Sequence, residues 1–247
     1  VIGSGNLANY TLVSLAALGI GNIEVYDNSK VNSDGEFLLF QAREGEPKAK
    51  ALETILKQIN PVSRIMGIST PMSAPLLAMI GKPEIIVDTT NYSKSKSDIL
   101  KYAKSRGVRV ISASADRDRA EMYFICPDTK QENISLDSYE GKGQGVVTSG
   151  IMGGIITEEL RKAIMPFSTS EQPVKKIAYS LISPRRFSSE DGKLERIGLR
   201  DKKVLVVGAG ALGNFAVLAA ALEGIGNIDV LDFDDVESTN LNRQILF

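Results

Sequence analysis

The sequence predicts an α/β class, a doubly wound and mainly parallel sheet in tandem copies, and three observations predict it. Short apolar strands alternate along the chain with helices of about 10–15 residues, the pattern of a parallel sheet covered on both faces. A strand–glycine turn–helix unit occurs twice, 205 residues apart. Each occurrence carries, 24 residues after its first glycine, an aspartate at the end of the next strand.

The elements follow in order. Val1-Ile2 ends a first strand, and Gly3-Ser4-Gly5 turns into an almost wholly apolar helix near Leu7–Leu18. Ile23–Tyr26 is the next strand, ending at Asp27. After a polar stretch, a helix runs from Lys48 to Asn60 and stops at Pro61, whose ring cannot continue it. Arg64–Ile68 and Glu84–Val87 are strand-like, and Lys94–Arg106 reads as a helix with a polar face. Val108–Ser112 and Met122–Ile125 are strands, Tyr139–Gly145 is a Gly-rich polar loop, and Val146–Met165 is an apolar helix. Residues 168–200 are polar, carry Pro173, Pro184 and Ser188-Ser189, and read as an interdomain segment. Lys175–Ser183 within it has the pattern of one more strand. Lys203–Val207 is a strand, and Gly208-Ala209-Gly210-Ala211-Leu212-Gly213 opens the helix after it.

The self-similarity sets the organisation. Residues 1–31 align without gaps with residues 206–236, and fourteen of the 31 pairs are identical, including Gly19–Ile23 against Gly224–Ile228. An offset of 205 far exceeds a solenoid period of roughly 20–50 residues, so it marks two copies of a whole domain. The expected layout is a first copy over 1–167, the interdomain segment 168–200, and the opening of a second copy over 201–247. Val1-Ile2-Gly3 reads as the tail of a strand, and Asn242–Phe247 stops before a structural ending. The chain therefore reads as a piece cut within a folded unit at both ends.

Composition excludes several chemistries. With no histidine and one cysteine, the chain alone supplies neither Ser-His-Asp nor Cys-His catalysis, nor a His- or Cys-rich metal site. No metal-ligating residue is assigned. The single cysteine suits a reducing, cytosolic setting. A formal net charge of −1 gives no reason to expect a nucleic-acid partner, and no apolar run reaches the ~20 residues of a membrane span.

The glycine turns carry the chemistry. The first glycine permits the tight turn, the second lets backbone approach a phosphate, and the third lets helix and strand pack closely. The helix N-terminus then favours an anion. In the second copy these are Gly208, Gly210 and Gly213. In the first they are Gly3 and Gly5, with Ala8 in the third place. Asp232 and Asp27 stand where a carboxylate accepts ribose hydroxyls. Two occurrences in a strand–turn–helix context predict a Rossmann-like nucleotide-binding unit; glycines that serve only helix–strand packing are the alternative. After Asp232 come Asp234, Asn240, Arg243 and Gln244. An arginine fork and an amide suit polyphosphate oxygens, and carboxylates suit ribose or Mg²⁺. The set looks like a triphosphate site.

Together, the glycine turn, the Gly-Ile-Gly-Asn-Ile run, Asp232-Phe233-Asp234 and Asn240-Leu241-Asn242-Arg243-Gln244 resemble the ThiF/MoeB and ubiquitin-activating-enzyme superfamily. The resemblance implies a fold that binds ATP with Mg²⁺ and adenylates the C-terminal carboxylate of a ubiquitin-like or sulfur-carrier protein. It also implies a site built between two Rossmann-like units, paired pseudo-symmetrically or as a homodimer. By it, Asp232 would hold the ribose, and Asp234 would sit near the metal and the reacting phosphate. Asn240, Arg243 and Gln244 would hold the phosphates, with Asp234 and Arg243 the catalytic pair. Any transfer cysteine, and the second copy's lysine and metal acid, would fall after Phe247, so little adenylation is expected from these 247 residues alone.

The first copy departs from that pattern. Ser29 stands where Asp234 stands, and Gly35–Leu39 replaces Asn240–Gln244. Gly45-Glu46-Pro47-Lys48 matches the family's G-x-x-K, with Lys48 on a phosphate; an exposed first-turn charge is the alternative. Asp88-Thr89-Thr90-Asn91 falls on D-x-T-D, with an amide where the metal carboxylate should be. A degenerate adenylation domain is expected. Cys126 reads as buried rather than nucleophilic, and Arg185-Arg186 and Asp116–Arg119 read as solvated surface. A non-catalytic scaffold and a nicotinamide-dependent oxidoreductase remain as rival readings.

Overall fold

The computed structural model describes residues 1–32, 36–128, 139–168, 172–182, 199–222, 224–240 and 244. Its helices are α1 (Asn6–Leu18), α2 (Lys48–Ile59), α3 (Ala74–Met79), α4 (Ser93–Arg106), α5 (Val146–Ile164) and α6 (Ala211–Leu222). Its strands are β1 (Asn22–Tyr26), β2 (Arg64–Ile68), β3 (Ile85–Asp88), β4 (Arg109–Ala115), β5 (Arg119–Ile125), β6 (Lys176–Ser180), β7 (Lys203–Val207) and β8 (Asn227–Leu231).

β1 pairs with β2 in parallel, and β3 with β4 in parallel. Ile2 joins the two pairs, bridging Tyr26 on one side and Asp88 on the other, again in parallel. β5 and β6 then add antiparallel to β4. The sheet therefore runs β2–β1–Ile2–β3–β4–β5–β6. From Ile2 the chain winds outward through β1 and β2, then returns to the opposite side of Ile2 as β3. That reversal is the topological switch point, outside whose strand C-termini open α/β sheets bind ligands.

Alternation along the strands feeds two cores. Val87, Ile111, Met122 and Phe124 join the cluster under α1, α2 and α5. Their neighbours Ile86, Val110, Tyr123 and Ile125 join the cluster under α3 and α4. A period of two sends successive side chains to opposite faces, and both faces are covered, so the winding is double. α1 and α5 approach closely because Gly153 faces Tyr10: a Cβ there would stand 2.7 Å from the Tyr10 Cβ. The strand expected near 175–183 forms as β6. It lies at the sheet edge beside β5, so the first sheet draws a strand from segment 168–200. The short helix α3 has no counterpart among the sequence expectations. Six residues give no amphipathic period, and its start is marked by Ser73 Oγ accepting the Leu76 N–H at 3.3 Å.

β7 and β8 pair in parallel as a separate ribbon with α6 against it. α6 also docks on the first sheet's helices: Leu218 is buried in the α1–α5 cluster, with Phe215 and Ala219 packed on it. There the Phe215 ring lies 6.3 Å from Tyr10 and 5.8 Å from Phe37, and Tyr10 and Phe37 stack at 3.7 Å. No helix among the described residues is long and apolar enough to cross a membrane.

Candidate functional site

Both turns are built by the same local devices. Gly3 (φ 105°) and Gly208 (φ 96°) take left-handed backbone that side chains disfavour. Six residues on, an asparagine folds back over each turn. Asn9 Nδ2 donates to the carbonyls of Ser4 and Gly5, both at 2.7 Å. Asn214, its counterpart, donates to Ala209 and, at 3.1 Å, to Gly210. Each helix also ends alike. Gly19 and Ile20 donate to Ala16 and Leu15, and Gly224 and Ile225 to Ala221 and Ala220, all at 3.1 Å. These are Schellman closures around left-handed glycines.

In the second repeat the close approach falls on the third glycine. A Cβ at Gly208 or Gly210 would meet no heavy atom within 4 Å, whereas one at Gly213 would land on the carbonyl oxygen of Gly208. Gly213 is therefore the close-approach glycine. The end of β8 brings Asp232 to the turn, where its carboxylate accepts the N–H of Ala209 and, at 2.9 Å, that of Asp234. These N–H groups, Asp234's foremost, hold the exposed Asp232 carboxyl below its ordinary range, so it is ionised at neutral pH. Asp234 and Asp235 are exposed just beyond. Asn240 closes a 3-10 turn over Ser238–Asn240, and the Gln244 N–H donates to its carbonyl at 2.9 Å. Asp232 and the glycines are thus brought together, and Asn240 sits beside Gln244. Arg243 lies outside the described residues.

In the first repeat the corresponding positions are engaged within the protein. Asp27 accepts the Ser29 N–H at 2.6 Å and the Ser29 hydroxyl, which also lies 3.3 Å from Ser4 Oγ. Lys48 reaches the end of β1, its N–H on the Ser29 carbonyl at 3.0 Å. Its ammonium is buried against Glu36 at 2.7 Å, so it is neither an exposed charge nor uncompensated. Leu38, which stands where Arg243 stands, is buried in the core. Asn91 Nδ2 donates to the carbonyls of Ala115 (2.7 Å) and Lys142 (3.2 Å), while its Oδ1 accepts the Ala115 N–H. Asp88 is wholly buried, and Lys96 Nζ donates to it at 2.9 Å, to Ser112 Oγ at 3.1 Å and to the Ala113 carbonyl at 2.8 Å. The side chain of Gln144 lies over Gly5.

Mg²⁺ wants several hard oxygens in an octahedral array. The first repeat does not fit it: Asn91 gives both ends of its amide to the backbone, and the Asp88 carboxylate is matched by an ammonium. Among the described residues no group of three or more carboxylates, histidines or cysteines is gathered for a metal. In the second repeat Asp232 and Asp234 present exposed carboxylates beside the glycine turn, oxygen donors of the kind that ribose hydroxyls and hard cations take.

One sequence expectation is corrected. Asp116, read as solvated surface, is buried. Its Oδ1 accepts the N–H groups of Asp118 and Arg119 at 2.9 and 2.8 Å, and its carbonyl accepts Thr148 Oγ1 and the Gly145 N–H. It thereby clamps the β4–β5 turn to the start of α5. A short turn hides such burial, because the partners come from elsewhere in the chain. Cys126 is half-buried after β5, and Arg185-Arg186 lie outside the described residues. Asn9 and Asn214 are marked in the sequence only by their identity in the aligned repeats, and Lys96 and Gln144 carry no such mark.

The model of the ThiF family matches residues 1–189 and again 180–247. The ubiquitin-activating enzyme E1 1 of Schizosaccharomyces pombe is 32% identical over 168 residues, 53% of this chain and 16% of that protein. The adenylyltransferase and sulfurtransferase MOCS3 of Anopheles gambiae is 55% identical over 58 residues, 24% of this chain and 13% of that protein. The chain thus spans less than a fifth of either relative. Among solved structures, Escherichia coli MccB with ATP has the same fold, with a TM-score of 0.63 at 20% identity over 72% of this chain and 60% of that one. With two family matches on one chain and the glycine turn at the switch point of its sheet, the chain belongs to the ThiF family.

Proposed function

We propose that the second repeat binds ATP, with Mg²⁺, in an enzyme that adenylates the C-terminal carboxylate of a ubiquitin-like or sulfur-carrier protein. The first repeat serves as its structural half. The observation that carries this reading is the glycine turn of the second repeat with the ionised Asp232 fixed on it and Asp234 exposed beside it. Asp232 holds the ribose, and the turn's N–H groups and the start of α6 face the phosphates. Asn240, Arg243 and Gln244 orient the phosphates, and Asp234 stands by the reacting one. The carrier's carboxylate oxygen forms a bond to the α-phosphorus as the bond to pyrophosphate breaks and pyrophosphate leaves. The chain's part is to align these groups and to stabilise charge on the α-phosphate. The cation that enters with the nucleotide would offset the remaining phosphate charge.

The contact of α6 with the first repeat supports a pseudo-two-fold pairing of the repeats. Tyr10 and Phe215 are the same position in the aligned copies, and their rings meet. Self-contact of equivalent residues is the mark of an isologous interface.

ATP–pyrophosphate exchange by the complete protein with its carrier tests the proposal. Carrier-dependent exchange is expected. No exchange with a competent carrier overturns the catalytic reading and favours a scaffold. Titration with NAD(H) and ATP separately tests the nucleotide: tight NAD(H) binding without ATP binding would make it an oxidoreductase.

A further inference from the structure

We propose that Gln144 closes the first glycine turn to a nucleotide phosphate: its amide is an internal ligand that takes the phosphate's place there. The inference rests on reading the second turn as the nucleotide site.

The first N–H groups of a helix have no partner within the helix, and in units of this kind a phosphate takes them. In the first repeat Gln144 Oε1 accepts the Leu7 N–H at 2.9 Å. Its Nε2 donates to the Thr89 carbonyl at 2.8 Å, just past β3. The amide therefore spans the switch point, pinned at both ends. It also fills the space left by the second glycine, since a Cβ on Gly5 would stand 2.5 Å from Oε1. A phosphate oxygen and this amide oxygen cannot share that position. Being neutral, the amide needs no cation, which accords with Lys48 being matched by Glu36.

The loop that carries Gln144 is anchored. Its carbonyl accepts from Asn6 Nδ2 at 3.1 Å, Gly145 N–H donates to the Asp116 carbonyl at 3.3 Å, and the Lys142 ammonium pairs with Asp116 at 3.3 Å. Asn91 adds a hydrogen bond to the Lys142 carbonyl at 3.2 Å. A carboxylate at position 91 would face the carbonyls of Ala115 and Lys142 with no proton to donate. Asn91 and the loop that closes the turn are thus tied together through the Lys142 carbonyl.

Amide hydrogen exchange on the complete protein, read at Leu7 and Leu212 with and without ATP–Mg²⁺ or inorganic pyrophosphate, tests this. In the unmodified protein ATP protects Leu212 and leaves Leu7 unchanged. In Gln144→Ala, Leu7 exchanges about tenfold faster, the loss of one hydrogen bond, and millimolar pyrophosphate restores its protection. Gln144→Met keeps the volume and secures a folded comparison: Leu7 exchange rises, and pyrophosphate restores nothing. A Leu7 response to ATP in the unmodified protein, unaltered Leu7 exchange in Gln144→Ala, or equal pyrophosphate effects in the two variants would each overturn the role of Gln144. An unresponsive Leu212 in the unmodified protein would instead overturn the nucleotide reading of the second turn, so the two failures are separable.

Discussion

The two glycine turns share a backbone and differ in what lies on them. Gly3 and Gly208, Asn9 and Asn214, and the Gly19 and Gly224 closures repeat almost bond for bond. The first turn is covered by Gln144 and flanked by ion pairs closed within the protein; the second carries Asp232, whose carboxylate accepts the Ala209 N–H. The turn's geometry is thus stabilised by its own asparagine and glycines and does not depend on what lies over it. Around the first turn Gln144, Glu36 and Lys96 give the Leu7 N–H, Lys48 and Asp88 partners from within the protein.

The largest expected effect lies in the closed half. Lys96→Met leaves the wholly buried Asp88 carboxylate without its ammonium, and urea denaturation should show a loss of about 3–5 kcal/mol. Lys96→Met with Asp88→Leu should recover part of it; no recovery would mean that Lys96 acts through packing alone. Next comes the functional asymmetry. Asp232→Ala in the complete protein should lower ATP–pyrophosphate exchange about 100- to 1000-fold, while Asp27→Ala should leave it within about threefold. Equal losses would erase the distinction between the repeats. A smaller contrast sits at the third position of each turn. Gly213→Ala drives a methyl onto the Gly208 carbonyl and should destabilise by about 1–3 kcal/mol, whereas Ala8→Gly loosens α1 by only about 1 kcal/mol. Thermal denaturation of the two variants ranks them.

The smallest effect is a titration on the first repeat's outer surface. Glu53 accepts the Gly67 N–H at 2.8 Å and pairs with Lys57 and Lys50, with Lys57 foremost in lowering its carboxyl to about 2. A depressed carboxyl contributes stability above its unfolded value near 4.5 and loses it as pH falls from there toward 2. Because the lysines are half-exposed, Glu53→Gln should flatten that acid-side slope by no more than about 1 kcal/mol. An unchanged slope would show that the ion pairs contribute nothing.

Much of the fold was legible. β2 falls on the residues that the alternation marked, α2 and α5 begin at the residues expected, and α1, α4 and β1 begin one residue earlier. Apolar periodicity acts over neighbours only a few residues apart and so reads directly from the chain. The antiparallel edge, β5 and β6, was less legible, because pairing direction depends on where loops return the chain. In the site, the glycines and Asp232 stood out by spacing. Lys96 and Gln144 did not, since Lys96 is one lysine among several on a polar-faced helix, and Gln144 lies 137 residues from the amide it binds.

The sequence by itself determined the α/β class, the repeat, the two turns and the acid after each, for all of these are short-range patterns of residue type. What closes the first turn was decided only in the tertiary structure. Closure requires Gln144, Thr89 and Leu7 to converge at the switch point between β1 and β3. That convergence comes from the winding order of the sheet and the anchoring of the Gly-rich loop on Asn91 and Asp116, neither of which leaves a local mark in the chain.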